Sequence, residues 1–307
     1  MQMNIPPRNT MRLTHRGKLV LVATGAVLAG TAVAVPLLSL TSGPTQEDRP
    51  RTLVVSKGAR ASQVYEAVDK ALELPPGSTL KSLAKADLKL PKEAEGNPEG
   101  YLYPAVYPVA KGTTPESLLR SMVDTANKRL DVTPVTAGAQ RNAMNVYQTV
   151  IVASIVQAES TAEADMGKVA RVILNRLQQG VPLQVGSTLN YALNRTGGNA
   201  GQHADSPSPY NSYQRVGLPP TPIGNPGPEA IRAVTNAPSG DWLYYITVKP
   251  GDTRFTADYA EHLRNVAEFS ALQQSAAPQQ NPAPQQNPAP QQPSGSPQQP
   301  ALTQPPR

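Results

Sequence analysis

Apolar positions along the chain fall into three regimes, each predicting a different kind of segment. Residues 19–40 carry no charge and are dominated by Val, Leu, Ala and Gly. At 1.5 Å per residue that run spans a hydrocarbon core of about 30 Å as a helix. From residue 52 the pattern becomes periodic. TLVVSKG reads as a short strand closed by a turn glycine, and helical spacing follows over residues 61–72 and again near 80–85. A small strand–helix–helix–strand unit suits residues 52–90. The run EGYLYPAVYP, residues 99–108, is aromatic and broken by proline, so it predicts extended chain. Thr114 stands as N-cap to a helix over 115–130.

The strongest helical pattern covers residues 143–160, and a second helix over 167–179 stops at Gly180 and Pro182. Residues 196–228 are rich in Gly, Pro, Asn and Ser. Tyr210, Asn211, Tyr213 and the run GLPPTPIGNPG point to a stiff, ordered loop of functional length. A helix over 228–236, a strand over 242–248 and a helix over 257–272 complete an α+β class. The third regime, residues 274–307, holds Pro, Gln, Ala and Ser with APQQNP repeated from Ala277 and Ala283. It lacks the apolar surface to offset ordering entropy, so it is expected to be disordered.

Charge orients the apolar run. Arg8, Arg12, Arg16 and Lys18 precede it without an acid, and a mixed flank follows with Glu47, Asp48, Arg49 and Arg51. Positive-inside bias assigns residues 1–18 to the cytoplasm, 19–40 to a single-pass anchor and 41–51 to a linker. The triplet Ala32-Val33-Ala34, with Pro36 beyond, also fits a signal-peptidase site. Run length favours the anchor, which places the chain at the cell membrane; on either reading the folded part is outside the cytoplasm. The chain has 28 Lys and Arg against 22 Asp and Glu, a net charge of +6. These charges are dispersed, which argues against a nucleic-acid partner.

Cysteine is absent, and His15, His203 and His262 lie far apart with no HExxH pattern. No metal and no cofactor are expected. Glu159 carries the acid–base signal. Ile155, Val152 and Ile151 lie four, seven and eight residues before it, on its own helix face. Desolvation there, with the negative helix C-terminus, favours the protonated form of a carboxyl that can donate and take back a proton. By spacing alone a surface glutamate at a fraying helix end is the competing reading. Glu163 and Asp165 follow, either solvated or orienting Glu159. A hydrolase of the usual sort needs a second carboxylate, and the sequence identifies none.

The segments ASIVQAES, KVARVILNRL, PLQVGSTLNYAL, SPYNSY, GLPPTPIGNPG and WLYYITV…TRFTADYAEH resemble, in that order, the MltG (YceG-like) endolytic murein transglycosylases. PEGYLYPAVY resembles that family's upstream EG-aromatic-x-aromatic-P segment. The resemblance implies a LysM-like and connecting subdomain over 52–135 and a catalytic domain over 136–273. It implies peptidoglycan glycan strands as substrate, with peptidoglycan synthases as candidate partners. Glu159 matches the catalytic glutamate. It would protonate the oxygen of the MurNAc-β-1,4-GlcNAc bond and then accept a proton from the muramic C6 hydroxyl, leaving a 1,6-anhydroMurNAc end. An internal nucleophile explains why one carboxyl suffices.

Gln184, Thr188, Tyr191, Tyr210, Asn211 and Tyr213 fall in the family's cleft-lining blocks, with ordinary packing as the alternative for each tyrosine. Gly217, Pro219 and Pro220 read as loop scaffolding and Phe255 as core, while His262 reads as cleft or helix surface. Gln157 stands where many members carry a second glutamate. Gly186 and Ser187 replace an Asp-Pro pair, and Ala105 and Val106 an Asp-Thr pair. The rival readings are a wall-binding scaffold, and a hydrolase using Asp165 or Asp205.

Overall fold

A computed structural model describes residues 51–195 and 204–276. The expected anchor, His203 and residues 277–307 of the Pro/Gln tail lie outside the described residues, while residues 274–276 continue the last helix beyond its expected end at 272. Among those residues no helix is long and apolar enough to cross a membrane.

The fold is mixed α+β. Strand β1 (Arg51–Val54) leads to helices α1 (Ala61–Ala71) and α2 (Ser78–Ser82). Strand β2 (Val106–Val109) returns antiparallel to β1, pairing Leu53 with Tyr107. The closing strand of this strand–helix–helix–strand order therefore lies beyond residue 90, in the aromatic run. The chain first makes two short 3₁₀ turns, Leu83–Lys85 and Lys92–Ala94.

Helices α3 (Pro115–Leu130), α4 (Thr133–Arg141), α5 (Val146–Glu159), α6 (Met166–Gln178), α7 (Gly186–Ala192) and α8 (Pro228–Thr235) follow. A hairpin of β3 (Tyr244–Lys249) and β4 (Asp252–Thr256) then packs under α9 (Tyr259–Ala276). Local chemistry sets several boundaries. Thr114 accepts from Ser117 N–H, and Ser117 Oγ accepts from Thr114 N–H, which starts α3 where the sequence predicts. Asn145 and Gln148 make the same reciprocal pair at α5, two residues past the left-handed Ala143.

Helix α5 is the hub. Every residue from Thr149 to Val156 is buried, and α4, α6, α7 and α8 pack around it. An all-round apolar helix belongs inside a domain. The hydrophobic core is continuous from Leu53 and Val68 through Leu102, Leu119 and Val150 to Ile231 and Val234. Polar staples cross it. Asn225 is wholly buried: its side chain accepts from Leu102 N–H and donates to Ala59 O, and its backbone bonds Gly58 and Ala59. A Cβ on Gly224 would come within 2.7 Å of the Gly58 carbonyl oxygen, so glycine permits this close approach. These contacts lay the loop of residues 217–227 against the start of α1, forming one side of a groove.

Candidate active site

Glu159 is the last residue of α5, and Ser160 turns out of the helix with extended geometry. Contrary to the expectation from spacing, no apolar face sets Glu159 apart, because residues 149–156 of α5 are buried on every side. What brings the carboxyl to a cavity is its place at the helix end, where it is half-buried. Its Oε1 accepts the backbone N–H of Ser187 at 3.0 Å, and its Oε2 accepts the Tyr245 O–H at 2.8 Å. Ser187 is the second residue of α7, so the carboxyl takes up an amide left free by helix geometry. Burial, and then the charge of Glu159, push Tyr245 well above the ordinary tyrosine range, so it remains a donor. Burial and Glu159 raise Tyr213 as well.

The cavity at Glu159 holds about 440 Å³. Gly186, Ser187 and Asn190 of α7 form one wall; Gly58, Arg60 and Gln63 form the other. Arg60 ties the walls together. Its guanidinium donates to the carbonyls of Asn190 and Arg195 at 3.3 and 2.6 Å and lies 5.1 Å over the Tyr191 ring. Arg60 also lines a second cavity of about 750 Å³, together with Tyr191, Tyr210 and Glu99. The two tyrosine rings meet there at 5.2 Å, tilted by 50°.

Glu99, within the quoted EGYLYP motif, is a buried carboxyl to which sequence reasoning assigned no role. It is 3 % exposed, accepts Ala61 N–H at 2.9 Å and accepts the Tyr191 O–H at 3.0 Å. Burial pushes its pKa up to about 7, against the lowering effect of the Tyr191 bond. A lone acid in an aromatic, proline-bounded run was its signal. Tyr245 and Arg60 carried no such signal, since their partners are remote in sequence.

The other expected site residues divide. Tyr191 and Tyr210 line the larger cavity, and Tyr210 pairs its hydroxyl with Thr221 Oγ1 at 2.7 Å. Tyr213 sits in the field of Glu159. Thr188 is wholly buried, its hydroxyl spent on Val185 O and Ser212 Oγ, so it holds α7 instead of facing a ligand. Asn211 is also buried. Its amide donates to Ala204 O and Ser206 O, and its Oδ1 accepts Tyr213 N–H, which shapes the loop. Gln184 is exposed but takes Arg176 on its Oε1 and adopts a left-handed φ of +56°.

Gln157 accepts Gly227 N–H at 3.1 Å and so anchors the start of α8. Neither Asp165 nor Asp205 lines the Glu159 cavity. The donors that orient Glu159 are Ser187 and Tyr245, and Glu163 is exposed. His262 stacks on Tyr244 with centroids 5.1 Å apart; burial, and then Arg176, push its pKa down. Phe255 packs against Tyr245 and the core, as expected.

Fold and site together define an α+β protein in which a glutamate ending a buried helix opens on a polar groove beside two tyrosines. The chain belongs to the YceG-like family, whose family model matches residues 29–268. It is 33 % identical over 173 residues to a Bacillus subtilis protein named endolytic murein transglycosylase, a match covering 53 % of this chain and 46 % of that protein. It is 34 % identical over 177 residues to a Streptococcus pneumoniae protein of the same name, covering 55 % of this chain and 32 % of that one. The chain therefore spans less than half the length of the curated relatives it matches. A solved YceG-like protein from Listeria monocytogenes shares the fold at a TM-score of 0.64 and 25 % identity, over 71 % of this chain and 76 % of that one.

Proposed function

We propose that this protein is an endolytic murein lytic transglycosylase that cuts the MurNAc-β-1,4-GlcNAc bond, with Glu159 as general acid and then general base. The observation that carries the reading is the Glu159 carboxyl, held by one donor on each oxygen while it opens on a groove. In the first step Glu159 gives its proton to the leaving glycosidic oxygen as the bond to C1 breaks. In the second it takes the proton of the muramic C6 hydroxyl as that oxygen bonds to C1, closing the 1,6-anhydro ring. No water is consumed. The second carboxylate of a hydrolase has no task here, because an internal hydroxyl already has a high effective concentration. Glu99 does not supply one, since Ala61 and Tyr191 occupy its oxygens. The tilted Tyr191–Tyr210 pair beside the groove suits the apolar faces of sugar rings.

Three wider features belong to the same reading. Residues 19–40 anchor the chain in the cell membrane with its folded part outside. Residues 52–135 form a LysM-like and connecting subdomain, a reading supported for its first part by the order β1, α1, α2, β2 and the antiparallel pairing of the two strands. The physiological product is a terminated glycan strand, made alongside peptidoglycan synthases. The test incubates the full chain with isolated glycan strands and weighs the products. Anhydro ends support the transglycosylase; reducing ends support a hydrolase; intact strands leave a wall-binding scaffold.

A further inference from the structure

Tyr245 reaches Glu159 across 86 residues of chain. It sits on β3 opposite Phe255 of β4, and the two rings stack at 6.0 Å with 29° between planes. That stack fixes where the phenol points. The Glu159 carboxyl is thus held from two separate elements, by α7 through Ser187 N–H and by β3 through the Tyr245 hydroxyl. The two donors are not equivalent. The amide belongs to the backbone of α7, whereas the hydroxyl sits on a side chain that can be replaced without changing the chain around it.

We propose that Tyr245 is a positioning residue that keeps Glu159 in one orientation through both steps of the reaction, donating to Oε2 whether the carboxyl is ionised or carries its catalytic proton on the other oxygen. This rests on the transglycosylase reading above. Around the pair, α5 contributes Glu159, the loop before α8 contributes Tyr213 and α6 contributes Arg176, whose charge opposes that of Glu159 at the phenol. Burial keeps the phenol from ionising, so the hydroxyl persists through turnover. No proton leaves Tyr245 in the net reaction; the proton that Glu159 gives to the leaving oxygen stays with that product and is replaced by the one taken from the C6 hydroxyl.

The test is Tyr245→Phe in the full chain acting on isolated glycan strands. The substitution removes one oxygen and keeps the ring that stacks on Phe255. The plateau kcat is expected to fall about tenfold with KM unchanged, the scale of a hydrogen bond to a charged group acting at the reaction step. Val248→Ala weakens the packing of β3 at a buried position outside the stack, so it lowers the thermal midpoint and leaves the plateau kcat in place. The proposal is overturned if Tyr245→Phe keeps the plateau kcat, or if Val248→Ala lowers it equally. If the wild-type chain cleaves no glycan, the transglycosylase reading falls first and takes this proposal with it.

Discussion

Replacing Glu99 by Gln isolates the cost of holding a carboxyl in the groove wall. Glu99 is 3 % exposed, and burial raises its pKa from 4.5 to about 7. A group that binds its proton more tightly when folded makes its full contribution to stability below the unfolded value and loses it as pH rises through the folded one. The window is therefore 4.5 to about 7, and the rise across it corresponds to about 3 kcal/mol. Gln carries no titrating proton, so it removes this slope. It can also keep both bonds, with its oxygen accepting Ala61 N–H and its amide facing the Tyr191 hydroxyl, which can turn to accept. Urea denaturation of both proteins across that window is the assay. Below 4.5 the two should be alike; above about 7 the variant should be the more stable, by up to about 3 kcal/mol. A difference that stays constant with pH would refute the reasoning and mean that Glu99 is not desolvated.

Other substitutions probe the frame around the site. Gly224→Ala drives a methyl group to 2.7 Å from the Gly58 carbonyl oxygen and should cost about 1–3 kcal/mol in thermal unfolding. An unchanged midpoint would mean the loop does not rest on the start of α1. Asn225→Ala strands Leu102 N–H and one bond of Ala59 O in the core, for about 2–4 kcal/mol by denaturant titration. Arg176→Lys should destabilise the β3 end of the site, because lysine cannot reproduce the fork that serves Pro182 O, Leu243 O and Gln184 Oε1 together. Amide exchange near Leu243 that is no faster than in the wild type would contradict that role.

What the sequence made legible is what is local. The Thr114 cap, Pro115 and the apolar spacing of α3 lie within a few residues of one another, and the helix begins and ends as predicted. Helix α7 was missed because GSTLNYA opens on glycine without a cap of its own; Glu159, 28 residues away, accepts its Ser187 N–H. Helix α4 was missed because TPVTAGAQR holds one large apolar residue, Val135, and an interior glycine, Gly138, that disfavours a helix. It packs through small residues, with a Gly138 Cβ position only 2.4 Å from Thr235 Cβ. Strand β4, DTRFT, is short and polar and exists by pairing with β3. The site follows the same rule. Resemblance singled out Glu159, Tyr191 and Tyr210, yet it also drew in Thr188 and Asn211, polar residues whose hydrogen bonds turn inward. Tyr245 and Arg60 meet their partners only through tertiary packing, which no window along the chain contains.

The most direct measurement is mass analysis of isolated glycan strands after incubation with the full chain, beside its Glu159→Gln variant. The account predicts new 1,6-anhydroMurNAc ends from the wild type. The variant should fold normally and yield cleavage reduced at least about a hundredfold, as befits loss of the group that moves both protons. Reducing ends from the wild type, or undiminished cleavage by Glu159→Gln, would contradict it.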